Sequence, residues 1–153
     1  MAIDDCQILH PSLHYSSIAK SEWEPGARIE VSTATDGSTR LICGEKTQGQ
    51  EVQRYTVNGK NYQVSPDSFW QSNINAPAVL VDCVKEFAQV KTGEHVLDLY
   101  GGVGLFGLQI LEEIGPGGRI DLPINYRRVP GGNVPPEGWG KPRGLTSLLP
   151  RWR

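Results

Sequence analysis

"LDLYGGVGLFG", Leu97 to Gly107, decides how the rest of this chain is read. Apolar residues and one acid, Asp98, run into four glycines within seven positions. Begun at His95, "HVLDLY" is a near-continuous apolar run, as expected for a strand buried on both faces. "LFGLQILEEI" after the glycines reads as a helix. Strand, glycine turn and helix form the opening half of a parallel α/β unit. Gly102, Gly104 and Gly107 fit the pattern G-x-G-x-x-G. Such glycines let the backbone approach a ligand. The helix N-terminus behind them offers free N–H groups and about half a positive charge.

Upstream of this turn the period is different. "ARIEVSTATDGSTRLICG" predicts two short strands, about Arg28–Ser32 and Arg40–Cys43, around an Asp36-Gly37 turn. "QRYTV" and "NYQVS" flank Asn58-Gly59, a pair that tolerates the positive φ of a tight hairpin turn. A short helix is allowed after Pro11. From Asn75 the period becomes helical. Leu80, Cys83, Val84 and Phe87 recur at i, i+3, i+4 and i+7, with Asn75 as N-cap and Pro77 in the first turn. The reading is therefore residues 1–66 as a small antiparallel β subdomain with some helix. Residues 67–114 follow as the start of a ligand-binding α/β domain, and 115–153 as an irregular tail.

The tail reading rests on composition. Residues 115–153 hold 7 of the 11 prolines and 8 of the 18 glycines, and proline at that density removes donors and blocks helices. The tail also carries 7 Lys+Arg against 2 Asp+Glu, so of the net charge of −2 it contributes +5 and residues 1–114 contribute −7. The chain as a whole has no basic excess of the kind that marks a nucleic-acid binder. No apolar run approaches the ~20 residues needed to span a bilayer. Three scattered cysteines, Cys6, Cys43 and Cys83, with no metal-ligand spacing, suit a cytoplasmic location better than a disulfide scaffold. Cys43 and Cys83 fit apolar core positions. His10, His14 and His95 have no partner spacing, and Glu112-Glu113 reads as a solvated helix end.

Three ligands compete for the glycine turn. A P-loop calls for Lys-Ser/Thr after the glycines, and none follows, which argues against a phosphate loop. A dinucleotide such as NAD(P) needs an acid about 20 residues on, at the end of a second strand. Asp121 stands at that distance, but "GGRID" makes a poor strand. S-adenosylmethionine suits the acid inside the first strand, Asp98, because "VLDLYGGVG" resembles the first motif of class I methyltransferases. "VSPDSFWQSN", Val64 to Asn73, adds a second motif ahead of the helix. Phe69, Gln71 and Asn73 followed by Leu97 to Phe106 resemble the RNA (uracil-5-)-methyltransferase family, whose members make 5-methyluridine in ribosomal and transfer RNA. The resemblance covers about residues 4–114. Taken without it, Phe69 and Gln71 read as a core aromatic and a turn residue, and Trp70 as packing.

The resemblance implies an incomplete class I, Rossmann-like fold and S-adenosyl-L-methionine as cofactor. It implies that Gln71, Asp98, Tyr100, Gly102 and Gly104 hold that cofactor, and that RNA is the partner. "DDCQILHP", Asp4 to Pro11, resembles a family segment whose Cys helps hold an iron–sulfur cluster in some members. Four thiolates are normally needed, so no metal is expected. Family chemistry uses a Cys nucleophile on C6 of an unstacked uracil and a Glu base, both well downstream of the glycines. No Cys follows Cys83, and Glu137 stands in the tail without family context. Catalytic residues are therefore assigned to none, and weak cofactor binding without methyl transfer is the expectation. The other readings are an oxidoreductase piece binding NAD(P), and a non-enzymatic module contacting RNA through its basic tail.

Overall fold

The computed structural model describes residues 6–121. Asp4, Asp5, Glu137 and the tail from Leu122 onward lie outside the described residues. The architecture is mixed α/β with three small sheets.

A single 3₁₀ turn at Pro11–Leu13 leads into helix α1, Tyr15–Lys20. Strands β1 (Ile29–Thr33), β2 (Thr39–Cys43) and β3 (Lys46–Gly49) form an antiparallel meander. The first two agree with the expected hairpin. The polar β3, exposed along its whole length, carries no alternation by which to find it. Strands β4 (Gln53–Val57) and β5 (Lys60–Val64) pair antiparallel across the expected Asn58-Gly59 turn. Asn58 and Gly59 between them have φ of 45° and 78°, the two positive values that a primed turn requires.

Helix α2 spans Ala76–Ala88. Asn75 sits at its N-cap position, yet its side chain makes no capping bond; its own N–H donates to Asn73 Oδ1 at 2.9 Å. The expected core stripe is corrected. Pro77 and Val81 face inward, whereas Leu80, Cys83 and Phe87 are exposed, Phe87 by 81%. The helix is apolar on both sides, and among the described residues the side with Pro77 and Val81 is the buried one.

Strand β6 (His95–Leu97), helix α3 (Leu105–Ile114) and strand β7 (Arg119–Asp121) form a β-α-β unit in which β6 and β7 pair in parallel. Two expectations fail here. The strand before the glycines is not buried on both faces. Val96 packs against α3, while His95 and Leu97 on the other face are exposed. The irregular tail does not begin at Gly115 either, because Arg119–Asp121 is a strand. Ile120 is fully buried against Ile110 and Ile114, and that apolar anchor outweighs the surrounding Gly and Pro.

Packing joins the parts. Tyr55, Val57, Tyr62 and Val64 of the β4–β5 hairpin share one core with Val81 of α2 and with Val103 and Leu105. A boundary at residue 66 would run through this core. Polar links reinforce it. Asn58 Nδ2 donates to Asp82 Oδ1 of α2 at 2.9 Å, Lys60 pairs with Glu112 of α3, and Lys85 pairs with Glu113 at 2.6 Å. Glu112 and Glu113 are thus ion-pair partners rather than a purely solvated end.

Candidate functional site

The glycine turn occupies Asp98–Gly104, between β6 and α3. Its path depends on backbone that only glycine adopts at low cost: Gly102 has φ of 53° and Gly104 of 86°. Gly104 is the N-cap of α3 and donates its N–H to Gly101 O at 2.6 Å. It offers no capping side chain, so the first N–H groups of α3 lack the side-chain acceptor that Ser or Asp would supply there. Val103 and Leu105 point into the core and fix the turn from beneath. Tyr100 and Leu99 point out, Tyr100 with 83% of its surface exposed.

Asp98 is the charged residue at the foot of the turn. Its N–H donates to Asp121 O at 2.9 Å, which continues the β6–β7 ladder by one residue. Burial pushes its carboxyl above the usual carboxylate range, while a bond from the Tyr100 N–H works in the opposite direction. Oδ2 is buried with no hydrogen-bond partner among the described residues. An orphaned acceptor of this kind costs free energy unless something else supplies a donor.

Gln71 lies half-buried in the loop between β5 and α2. Its neighbour Trp70 stacks on Tyr55 and Tyr62, with ring centroids 4.7 and 5.6 Å apart, and packs against the core that holds Val103 and Leu105. The structure therefore roots the two motifs in one core, and Trp70 has the packing role expected of it. Phe69 does not sit in the core as its residue type suggests; it is 74% exposed. Cys83 is exposed and Cys43 half-buried, so neither is a fully buried core residue. Cys43 lines a cavity of 530 Å³ with Trp23, Leu41, Glu22, Glu24 and Glu45, which none of Gln71, Asp98, Tyr100, Gly102 and Gly104 touches. Among the described residues, no group of three His, Cys, Asp or Glu is placed to hold a metal ion, and no helix is long and apolar enough to cross a membrane.

Sequence reasoning missed an ionic cluster next to the turn. The Asp121 carboxylate, 9% exposed, is held by His95 Nε2 at 2.8 Å from Oδ2 and by Arg119 Nη2 at 2.7 Å from Oδ1. Burial pushes the Asp121 carboxyl up. The bonds from Arg119 and His95 outweigh it, and the net position is below the usual range. The three residues stand on the sheet face opposite α3. Alternation of Arg119, Ile120 and Asp121 was the available signal, obscured by Pro116, Gly117 and Gly118.

Known proteins give partial matches to this chain. No protein-family model matches the chain. An uncharacterised RNA methyltransferase of Nanoarchaeum equitans is 44% identical over 66 residues, 43% of this chain and 15% of that protein. The 23S rRNA (uracil(747)-C(5))-methyltransferase of Pyrococcus abyssi is 38% identical over 66 residues, covering 43% of this chain and 15% of that protein. This stretch is a partial homologue of the RNA uracil-C5 methyltransferases. The tRNA (uracil(54)-C(5))-methyltransferase of Pyrococcus furiosus is 36% identical over 69 residues, 45% of this chain and 16% of that protein. The crystal structure of the Pyrococcus abyssi tRNA (uracil-54, C5)-methyltransferase with S-adenosyl-L-homocysteine matches half of this chain and 18% of its own at 33% identity, with a TM-score of 0.38. The chain spans 15% to 16% of the length of these three curated relatives.

Proposed function

We propose that the glycine turn of this chain belongs to an S-adenosylmethionine site, within a protein that methylates C5 of uracil in RNA. The observation that carries the cofactor assignment is the buried, unpartnered Oδ2 of Asp98 beside the open backbone of Gly102 and Gly104. The amino-acid end of the cofactor is a zwitterion: its amino group suits an acceptor that lacks a donor, and its carboxylate suits the N–H groups at the head of α3. Gln71 and the exposed Tyr100 would supply further contacts. When bound, the cofactor supplies an activated methyl group. The uracil assignment comes from the relatives, named for C5 methylation of uracil in ribosomal and transfer RNA. No nucleophile or base is assigned to a residue of this chain.

A second reading has one observation in its favour. Arg119–Asp121 is a strand after all, and it ends in an acid beside β6, as a dinucleotide site requires. Against it, both Asp121 oxygens already accept from Arg119 and His95. Calorimetric titration separates the two. S-adenosylmethionine is expected to bind, more weakly after Gln71→Ala, with no heat from NAD. Heat from NAD and none from S-adenosylmethionine would overturn the assignment.

A further inference from the structure

We infer that the β4–β5 hairpin positions the glycine turn, and that Tyr62 is the residue through which it does so. The inference rests on the cofactor reading above for its link to binding. Tyr62 lies on β5, fully buried, and donates its hydroxyl proton to the carbonyl oxygen of Leu105 at 3.1 Å. Leu105 is the first residue of α3 and follows Gly104 directly. The same hydroxyl accepts from Gln109 Nε2 at 2.9 Å, and Gln109 also donates to Val57 O at 2.6 Å. A strand carbonyl, a helix amide side chain, a phenol and a helix carbonyl thus form one continuous chain of bonds. It spans the first turn of α3, the segment whose free N–H groups border the proposed site.

Apolar packing alone would let α3 slide or rotate slightly on the hairpin. Directional bonds at Leu105 and Gln109, one helical turn apart, fix both its height and its rotation. Gly102 and Gly104, with positive φ and no side chains to pack, have little intrinsic stiffness. Their placement must come from Val103 and Leu105 below, and Leu105 is where the hairpin holds on. Tyr62 is thus a positioning residue, acting through the turn rather than by contact with a ligand.

The test uses the whole chain. Tyr62→Phe keeps the ring and removes both bonds. Gln109→Met removes the link to Val57 but leaves the Tyr62–Leu105 bond. Gln53→Ala disturbs the same hairpin at its other end, where Gln53 bonds to Ser32 and Ser38. Amide NMR shifts of Gly101 to Leu108 report the geometry of the turn in the folded state, which a loss of global stability alone does not move. Titration with S-adenosylmethionine reports binding. Tyr62→Phe is expected to shift these amides and weaken binding about tenfold, Gln109→Met to do so less, and Gln53→Ala to do neither. Unmoved turn amides in Tyr62→Phe, or equal shifts in Gln53→Ala, would overturn the inference. Shifted amides with no cofactor binding by the unaltered chain would sink the cofactor reading and leave the coupling standing.

Discussion

His95 Nε2 lies 2.8 Å from Asp121 Oδ2, joining the start of β6 to the end of β7 across 26 residues of sequence. The bond runs diagonally over the sheet face that α3 leaves uncovered. With Arg119 it gives the two-stranded parallel pair an anchor on the side away from α3. Two such strands have little else to hold them there.

A dependence on pH follows. Asp121 titrates below its ordinary value in the folded chain, so its contribution is present above the unfolded value of about 3.9 and is lost as pH falls through the lower folded value. Melting temperature between pH 6 and pH 3 should fall more steeply for the unaltered chain than for Asp121→Asn. At pH 7 the substitution should cost about 1–3 kcal/mol by leaving the cluster half-made. Equal acid sensitivity in both would remove the anchor role.

Tyr62 makes the opposite prediction at high pH. Burial pushes its hydroxyl up to about 12, against a smaller opposing effect of the Gln109 bond. A raised value means stability that is whole below about 10 and lost as pH rises through about 12. Burial also raises the Tyr55 hydroxyl, so spectrophotometric titration should show these two tyrosines ionising late, Tyr62 together with unfolding, and the late amplitude should fall in Tyr62→Phe. Five tyrosines titrating alike would contradict its burial.

Asp98→Asn should separate stability from binding. Its carboxyl is held above the ordinary range by burial, so the charged form is disfavoured in the folded chain and the neutral amide relieves that cost. The variant should melt higher at pH 7 and bind S-adenosylmethionine more weakly. A lower melting temperature with unchanged binding would mean that the carboxylate is structural.

Gly118→Ala tests the strand that composition hid. A Cβ at Gly118 would overlap Ile114 Cγ2 and meet Glu94 O at 3.0 Å. Overpacking of this kind typically costs about 1–3 kcal/mol, and the loss should appear in exchange of the Val96 and Ile120 amides before that of Tyr62. Unchanged exchange at Val96 and Ile120 would mean that β7 is not packed on α3.

How far the sequence could be read depends on the range of the interaction. Asn58-Gly59 and Gly102/Gly104 were legible because a positive φ is a local demand that few residues meet. The face of α2 was not legible. Val79, Leu80, Val81, Cys83, Val84 and Phe87 put apolar surface all round the helix, so periodicity alone offers two stripes, and packing into the core shared with the hairpin and α3 selects the side that carries Val81. Strand β7 was misread because its stability comes from one buried side chain, Ile120, and not from its own composition. The His95–Asp121 link has no spacing rule at all, since it exists only once β6 and β7 are paired. Of the candidate site, the residues of the turn were legible. The orphaned oxygen of Asp98 and the grip of Tyr62 on Leu105 required coordinates.

The most direct measurement is ultraviolet cross-linking of the chain to radiolabelled S-adenosylmethionine, followed by mapping of the labelled peptide. Label should enter the peptide that contains Leu97 to Gly107 and be displaced by S-adenosylhomocysteine but not by NAD. Label confined to residues 6–66, or label that NAD displaces, would contradict the assignment of the glycine turn to the methyl donor.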